Sequence, residues 1–243
     1  MNLGKKSISI LDITLIALFA ALCYVSLMVL FVPFAGMFIH VGNLLLVLAA
    51  LLCGGIQGGL AGAIGMGLFD LLNGHADSVP KTLILKLLIG LAVGIAFKFF
   101  SKRSKIIWKS FFAISMASFI VSLSLLVYSF VTYEKFGGKS AVLCLCFFGL
   151  FLVFALLFSF KKKIDPIVIS AFLAATIGMT VNIIGEFAWK FVYYLLLGNV
   201  PQAALTTATL AQGSTLINAV IAIIGGVTLF LILKKPFFKI TQR

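Results

Sequence analysis

Between Met37 and Gly94 one apolar run follows another, and His40, Asn43, Asp70, Asn73, Lys81 and Lys86 gather toward the same ends of those runs. Lipid tolerates such groups only where they face protein or a water-filled cavity. The stretch therefore restricts the chain to a membrane bundle with a polar pocket at one surface. Composition agrees, since 63% of the 243 residues are hydrophobic against roughly 45–50% in soluble domains. Mean hydropathy is +1.24. Apolar runs of about 20 residues are long enough to cross a hydrocarbon core. Leu, Ala, Phe and Gly fill them without alternation, so the expected class is an all-α integral membrane protein and not a barrel.

Eight spans are expected across a single membrane domain, 1–243. The first covers about 12–32 and stops at Pro33, and the second, about 40–53, is short. Gly54, Gly55, Gly58 and Gly59 read as a tight reversal into a third span ending near Leu72. Pro80 suits the start of a fourth, about 80–100. Further spans cover about 108–131, 140–160 and 166–197, and an eighth follows the loop Gly198 to Gln202 and ends at Lys234–Lys235. No internal repeat is visible.

The net charge of +13 is not a nucleic-acid signal, because the cations sit in short segments between apolar runs. With the N-terminus inside, the clusters at Lys5–Lys6, Lys98 to Lys109, Lys161–Lys163 and Lys234 to Arg243 all lie inside. Contact with anionic lipid suits them. Both termini are then cytoplasmic, and the polar residues of the opening stretch lie near the outer face. Lys5 and Lys6 precede a span of about 20 residues, which favours a retained helix over a cleaved signal peptide. Cys23, Cys53, Cys144 and Cys146 lie in apolar runs without zinc-ligand spacing and read as packing residues. His75 is the only other histidine beside His40, so no metal site is expected.

Several polar residues admit two readings. Glu186 and Lys190 are four apart and could simply neutralise one another. With Asn182, Trp189 and Tyr193 on or near the same face, they could instead form a ligand wall. Gln212, Thr215 and Asn218 could bind a heteroaromatic ligand or bond to neighbouring helices. Asp70 and Lys86 read first as a structural ion pair, and His40 with Asn43 as a polar wall or lid contact. Ala17 and Ala21 form a small-residue pair that serves internal packing or docking to another membrane protein. No nucleotide-binding P-loop, GxSxG or HExxH motif is present, so an enzyme is not expected.

At these residues the sequence resembles the substrate-binding subunit, or S component, of energy-coupling factor vitamin transporters. The resemblance is carried by IALFAALCYVS, FIHVGN, GGIQGGLAGAIG, FDLLNG and PKTLILKLLIGLAVG. It is nearest to the branch associated with riboflavin, pyridoxine and hydroxymethylpyrimidine uptake. It implies a six-helix core with the ligand near the outer face, in a multi-pass protein of a prokaryotic cell membrane. It implies a water-soluble vitamin or cofactor precursor as substrate, and depth and polarity in this sequence place the binding residues at His40, Asn43, Asn182, Glu186, Trp189, Tyr193, Gln212 and Asn218. A transmembrane coupling subunit would dock at Ala17 and Ala21, and two further subunits would use ATP. No cofactor is implied in this chain. On that template 10–103 supplies core helices one to four, 166–235 supplies five and six, and 104–165 is an inserted two-helix hairpin. The competing class is a stand-alone, proton-coupled secondary transporter using Asp70, Glu186 or Lys190. A membrane scaffold without a ligand is the third.

Overall fold

The computed structural model describes residues 9–29, 31–34, 37–103 and 165–241, with isolated positions between 106 and 159. The chain divides into two compact units, one of residues 1–99 and 171–243 and the other of residues 100–170. Most of the second unit, including Cys144, Cys146 and most of the expected hairpin, lies outside the described residues.

The first unit opens with α1 (Ile10–Val29). Its start is fixed by a reciprocal cap: Asp12 N donates to Ser9 Oγ at 3.1 Å, and Ser9 N donates to Asp12 Oδ2 at 3.0 Å. This satisfies backbone donors that a helix start leaves open. Gln57 Nε2 also donates to Asp12 Oδ1 at 3.2 Å, so a buried carboxylate lies where α1 meets the start of α3. The helix ends three residues before the expected boundary. Phe31–Phe34 (β1) pairs antiparallel with Met37–His40 (β2), with Phe31 opposite His40. An expected loop is thus a short hairpin, and the all-helical expectation needs that amendment. Pro33 cannot continue a helix and is tolerated in an edge strand.

The helices α2 (Gly42–Leu52), α3 (Gly55–Leu72) and α4 (Val79–Ser101) follow, with a 3-10 turn at Ala76–Ser78 before α4. In the C-terminal part come α5 (Pro166–Leu196), α6 (Pro201–Leu210) and α7 (Gln212–Thr241). The expected eighth span is therefore broken at Ala211 into a short helix and a long one. Five helical segments among the described residues are long and apolar enough to cross a membrane: 10–29, 55–72, 76–101, 166–196 and 201–241. With 11 residues, α2 spans only ~16 Å, about half the hydrocarbon thickness.

Glycine makes α3 the hub. Gly54 turns the chain with φ +116°, a conformation costly for other residues. Gly55, Gly58 and Gly59, expected in the same reversal, lie inside α3 instead. A Cβ on Gly58 would strike the Ala50 backbone of α2, and one on Gly65 would strike Ala20 O of α1. Gly55 and Gly59 meet Gly94 and Gly90 of α4, backbone against backbone. Small residues on three sides bring three helices within reach of one, which is how packing holds helices in lipid. Beyond α4, Gly178 and Gly185 of α5 lie against Val93 and Leu85, while Gly225 and Gly226 of α7 lie against Leu44 and Val47. Cys23 and Cys53 are buried, matching their reading as packing residues.

Candidate functional site

The termini of α1, α3 and α5 and the starts of α2, α4 and α7 share one end of this unit. Lys98, Lys234, Lys235 and Lys239 occupy the other end. Along an apolar helix each polar side chain must find a partner on a neighbour, and here the partners converge. Lys86, 5% exposed, lies ~10 Å along α4 from its start. Its Nζ donates to Asn43 Oδ1 of α2 at 3.0 Å and to Asn182 Oδ1 of α5 at 3.2 Å. An ammonium only donates, so both amides present oxygen to it and direct their NH2 groups elsewhere. One turn further along α5, Glu186 accepts from Lys81 Nζ at 3.0 Å. These contacts tie α4 to α2 and α5 through charge-assisted hydrogen bonds.

His40 joins the cluster from the hairpin. Its backbone N–H donates to Asn218 Oδ1 of α7 at 2.9 Å. Its Nδ1 accepts the Gly42 N–H at 3.1 Å, so a neutral ring carries its proton on Nε2. The ring keeps some exposed edge but is otherwise enclosed by protein. Burial first, and then the positive charge of Lys86, lower its pKa from 6.5 to about 3, with Glu186 opposing and Lys81 reinforcing. In the unfolded chain His40 takes up a proton below its ordinary value, whereas in the folded chain it does so only near pH 3. Stability from this residue is thus complete above pH 6.5 and is lost as pH falls toward 3. Melting temperatures of the purified protein across that window should fall less steeply for His40→Asn than for the wild type. Parallel curves would remove His40 as the titrating group.

Five expected site residues therefore lie in one cluster made of three separate hydrogen-bonded groups: Asn43 and Asn182 on Lys86, Glu186 on Lys81, and His40 with Asn218. The other three stand apart from its hydrogen bonds. Trp189 and Tyr193 follow Glu186 along the same face of α5, half-buried, and the Tyr193 ring makes an edge contact with Tyr194 at 5.9 Å. Gln212 starts α7, with its Oε1 buried and unpartnered. Two residues were missed as site members, Lys81 and Lys86. Both stand in the polar set of the opening stretch, but Lys86 reads there as the partner of Asp70. Asp70 instead accepts from Thr82 Oγ1, and the amine that it was expected to pair lies against two amides. Glu186 likewise forms its ion pair with Lys81 of another helix and not with Lys190. A four-residue spacing within one helix predicts a neighbour, but a buried carboxylate takes the partner that can be desolvated with it. Ala17 and Ala21 are exposed on α1, whereas the adjacent Ala20 is buried against α3. Among the described residues no group of His, Cys, Asp and Glu could hold a metal ion.

A bundle of lipid-length helices with a buried polar network at one end defines an integral membrane protein built to hold a polar solute or to pass one. The sequence decides between these: residues 7–147 match the sequence model of the family described as ECF-type riboflavin transporter, S component. The chain belongs to that family, and so is a multi-pass membrane protein and the substrate-binding subunit of a transporter. The family is one of transport proteins and not of enzymes. The match continues through residue 147 and so takes in much of the segment assigned to the hairpin. Neither a curated protein nor a solved structure matches the chain.

Proposed function

We propose that the chain captures a water-soluble vitamin or cofactor precursor from the outer face of a prokaryotic cell membrane and delivers it inward. Delivery would occur in a complex with a transmembrane coupling subunit and two ATP-binding subunits. The observation that carries this reading is the meeting of Asn43, Lys86 and Asn182 from three different helices inside a largely apolar unit. A bundle with only structural needs would fill that volume with apolar packing, which costs less in desolvation. The ligand would lie against this network, with His40 and Asn218 on the hairpin side and Trp189, Tyr193 and Gln212 toward the mouth. The basic end opposite the network suits the cytoplasm. Residues 104–165 supply two further spans in this reading, giving eight with both termini inside. The bounds of the compact unit 100–170 support that division.

Purified protein in lipid nanodiscs should melt at a higher temperature with micromolar vitamin, because a ligand that binds only the folded state raises apparent stability. Riboflavin, named in the family's description, heads the panel, followed by pyridoxine and hydroxymethylpyrimidine. Mass spectrometry of the compound that co-purifies with the chain extends the test beyond that panel. In proteoliposomes the chain alone should give no sustained accumulation under a pH gradient. Accumulation without ATP-binding subunits would favour the proton-coupled alternative.

The exposed face of α1 is the proposed coupling surface. Ala17→Trp should leave vitamin binding unchanged and abolish co-purification with the coupling subunit, since a large ring prevents close helix approach. Intact assembly in that variant would move the docking surface elsewhere.

A further inference from the structure

The two buried amides on Lys86 have donors left over. An ammonium has no lone pair, so its contacts at 3.0 Å and 3.2 Å fix Oδ1 of Asn43 and Oδ1 of Asn182 toward Nζ. Both NH2 groups must then point away from it. Among the described residues neither NH2 group meets an acceptor. Each of the two residues is only 2% exposed, so bulk water does not stand in for one. Nor are these nitrogens sealed in. Among the described residues the one fully enclosed side-chain polar atom without a partner is Gln212 Oε1. The NH2 groups therefore border space large enough for a water or a ligand atom. A buried donor without an acceptor is costly, and folded proteins keep few of them. Tethering α4 to α2 and α5 does not call for these donors. A carboxylate at position 43 or 182 would hold the ammonium more strongly and leave no NH2 over.

We infer that the NH2 groups of Asn43 and Asn182 are ligand contacts, and that the ligand presents to them atoms that only accept: carbonyl oxygens or unprotonated ring nitrogens, as on a heteroaromatic ring. The inference rests on the proposed capture of a solute and narrows its class. Lys86 is the positioning residue, because by holding both oxygens it keeps both amides donating. A hydroxyl fits less well, since its own proton would face the same donors. A ring N–H or an amino group at this place sets donor against donor and is rejected. Acceptors on one ligand would join α2 to α5 through these two side chains.

Calorimetry and thermal shift in nanodiscs at neutral pH test this. The probes are riboflavin, pyridoxine, hydroxymethylpyrimidine and the compound that mass spectrometry identifies in the purified chain. Asn43→Asp and Asn182→Asp keep the side-chain shape and an oxygen on Lys86 but put an acceptor where the NH2 donor was. Each should weaken the probe that binds by about tenfold or more. The ligand-free melting temperature should hold or rise in the same variants, because Lys86 gains a carboxylate. Lys86→Arg, which also only donates, should keep the affinity, whereas Lys86→Gln, which can donate or accept, should lose it without a lower melting temperature. Tighter binding in the acid variants would show that the ligand donates at this place. Unchanged affinity in both would show no contact, and affinity lost only in step with melting temperature would show a structural role. Each of these results would overturn the inference while leaving solute capture intact. If neither acid variant folds, the Lys86 pair decides, and equal affinity in Lys86→Gln and Lys86→Arg overturns the inference. Absence of binding by every probe, with no extracted compound, would overturn both.

Discussion

Glu186→Ala should be among the most damaging single substitutions in the chain. The carboxylate is 5% exposed and accepts from Lys81 at 3.0 Å. Removing one partner of a buried pair strands the other charge, at a typical cost of about 3–5 kcal/mol. Lys81 is slightly more exposed than its partner and can turn partly toward water, which places the expected loss at the lower end of that range. Adding Lys81→Met should recover most of it, because the double variant leaves no unpaired charge. A double-mutant cycle in detergent, read by thermal or denaturant unfolding, isolates the coupling. Additive effects of the two substitutions would show that the pair is not the source of the cost. Vitamin binding should weaken in Glu186→Ala and stay weak in the double variant, where the fold is restored but the polar wall of α5 is gone. That split separates damage to the fold from damage to the site.

Gly90→Val should prevent the bundle from closing. A Cβ at Gly90 would meet the backbone N and Cα of Gly59 and lie 2.7 Å from Gly55 O. None of these atoms is a movable side chain, so α3 and α4 must separate. Overpacking typically costs about 1–3 kcal/mol and more where the neighbour is rigid backbone. The displaced helix carries Lys81 and Lys86, so separation also pulls both amines from Glu186, Asn43 and Asn182. Little folded protein should survive size-exclusion chromatography. Gly74→Ala is the control: nothing lies within 4 Å of a Cβ there, and the cost should be limited to the strain of φ +84°. If Gly90→Val expresses and melts like the wild type, the close α3–α4 contact is not what holds this unit together.

The membrane class, the long helices and one polar end were legible in the sequence because each follows from local pattern. Apolar length places a segment in lipid, Pro33 stops a helix, and basic clusters mark one side. The family was legible in the glycine-rich and FDLLNG segments. Five of the residues expected at the site do converge, since depth and polarity along a helix already restrict where an amide or a carboxylate can sit. Partnership was not legible. Asp70 with Lys86, and Glu186 with Lys190, are sensible pairs by spacing or position along the chain, and neither forms the close pair.

What the sequence determined by itself is that the chain is greasy helix with a set of polar residues toward one end and basic clusters toward the other, because hydrophobic length and charge placement are properties of each segment alone. What only the tertiary structure decided is which helix faces which. The glycines of α3 let α1, α2 and α4 approach its backbone, and that approach brings Lys86 between Asn43 and Asn182 and turns Lys81 to Glu186. The physical reason is that a buried charge takes whichever partner the packing brings within reach, and the packing is set by side-chain volume across helices far apart in the chain.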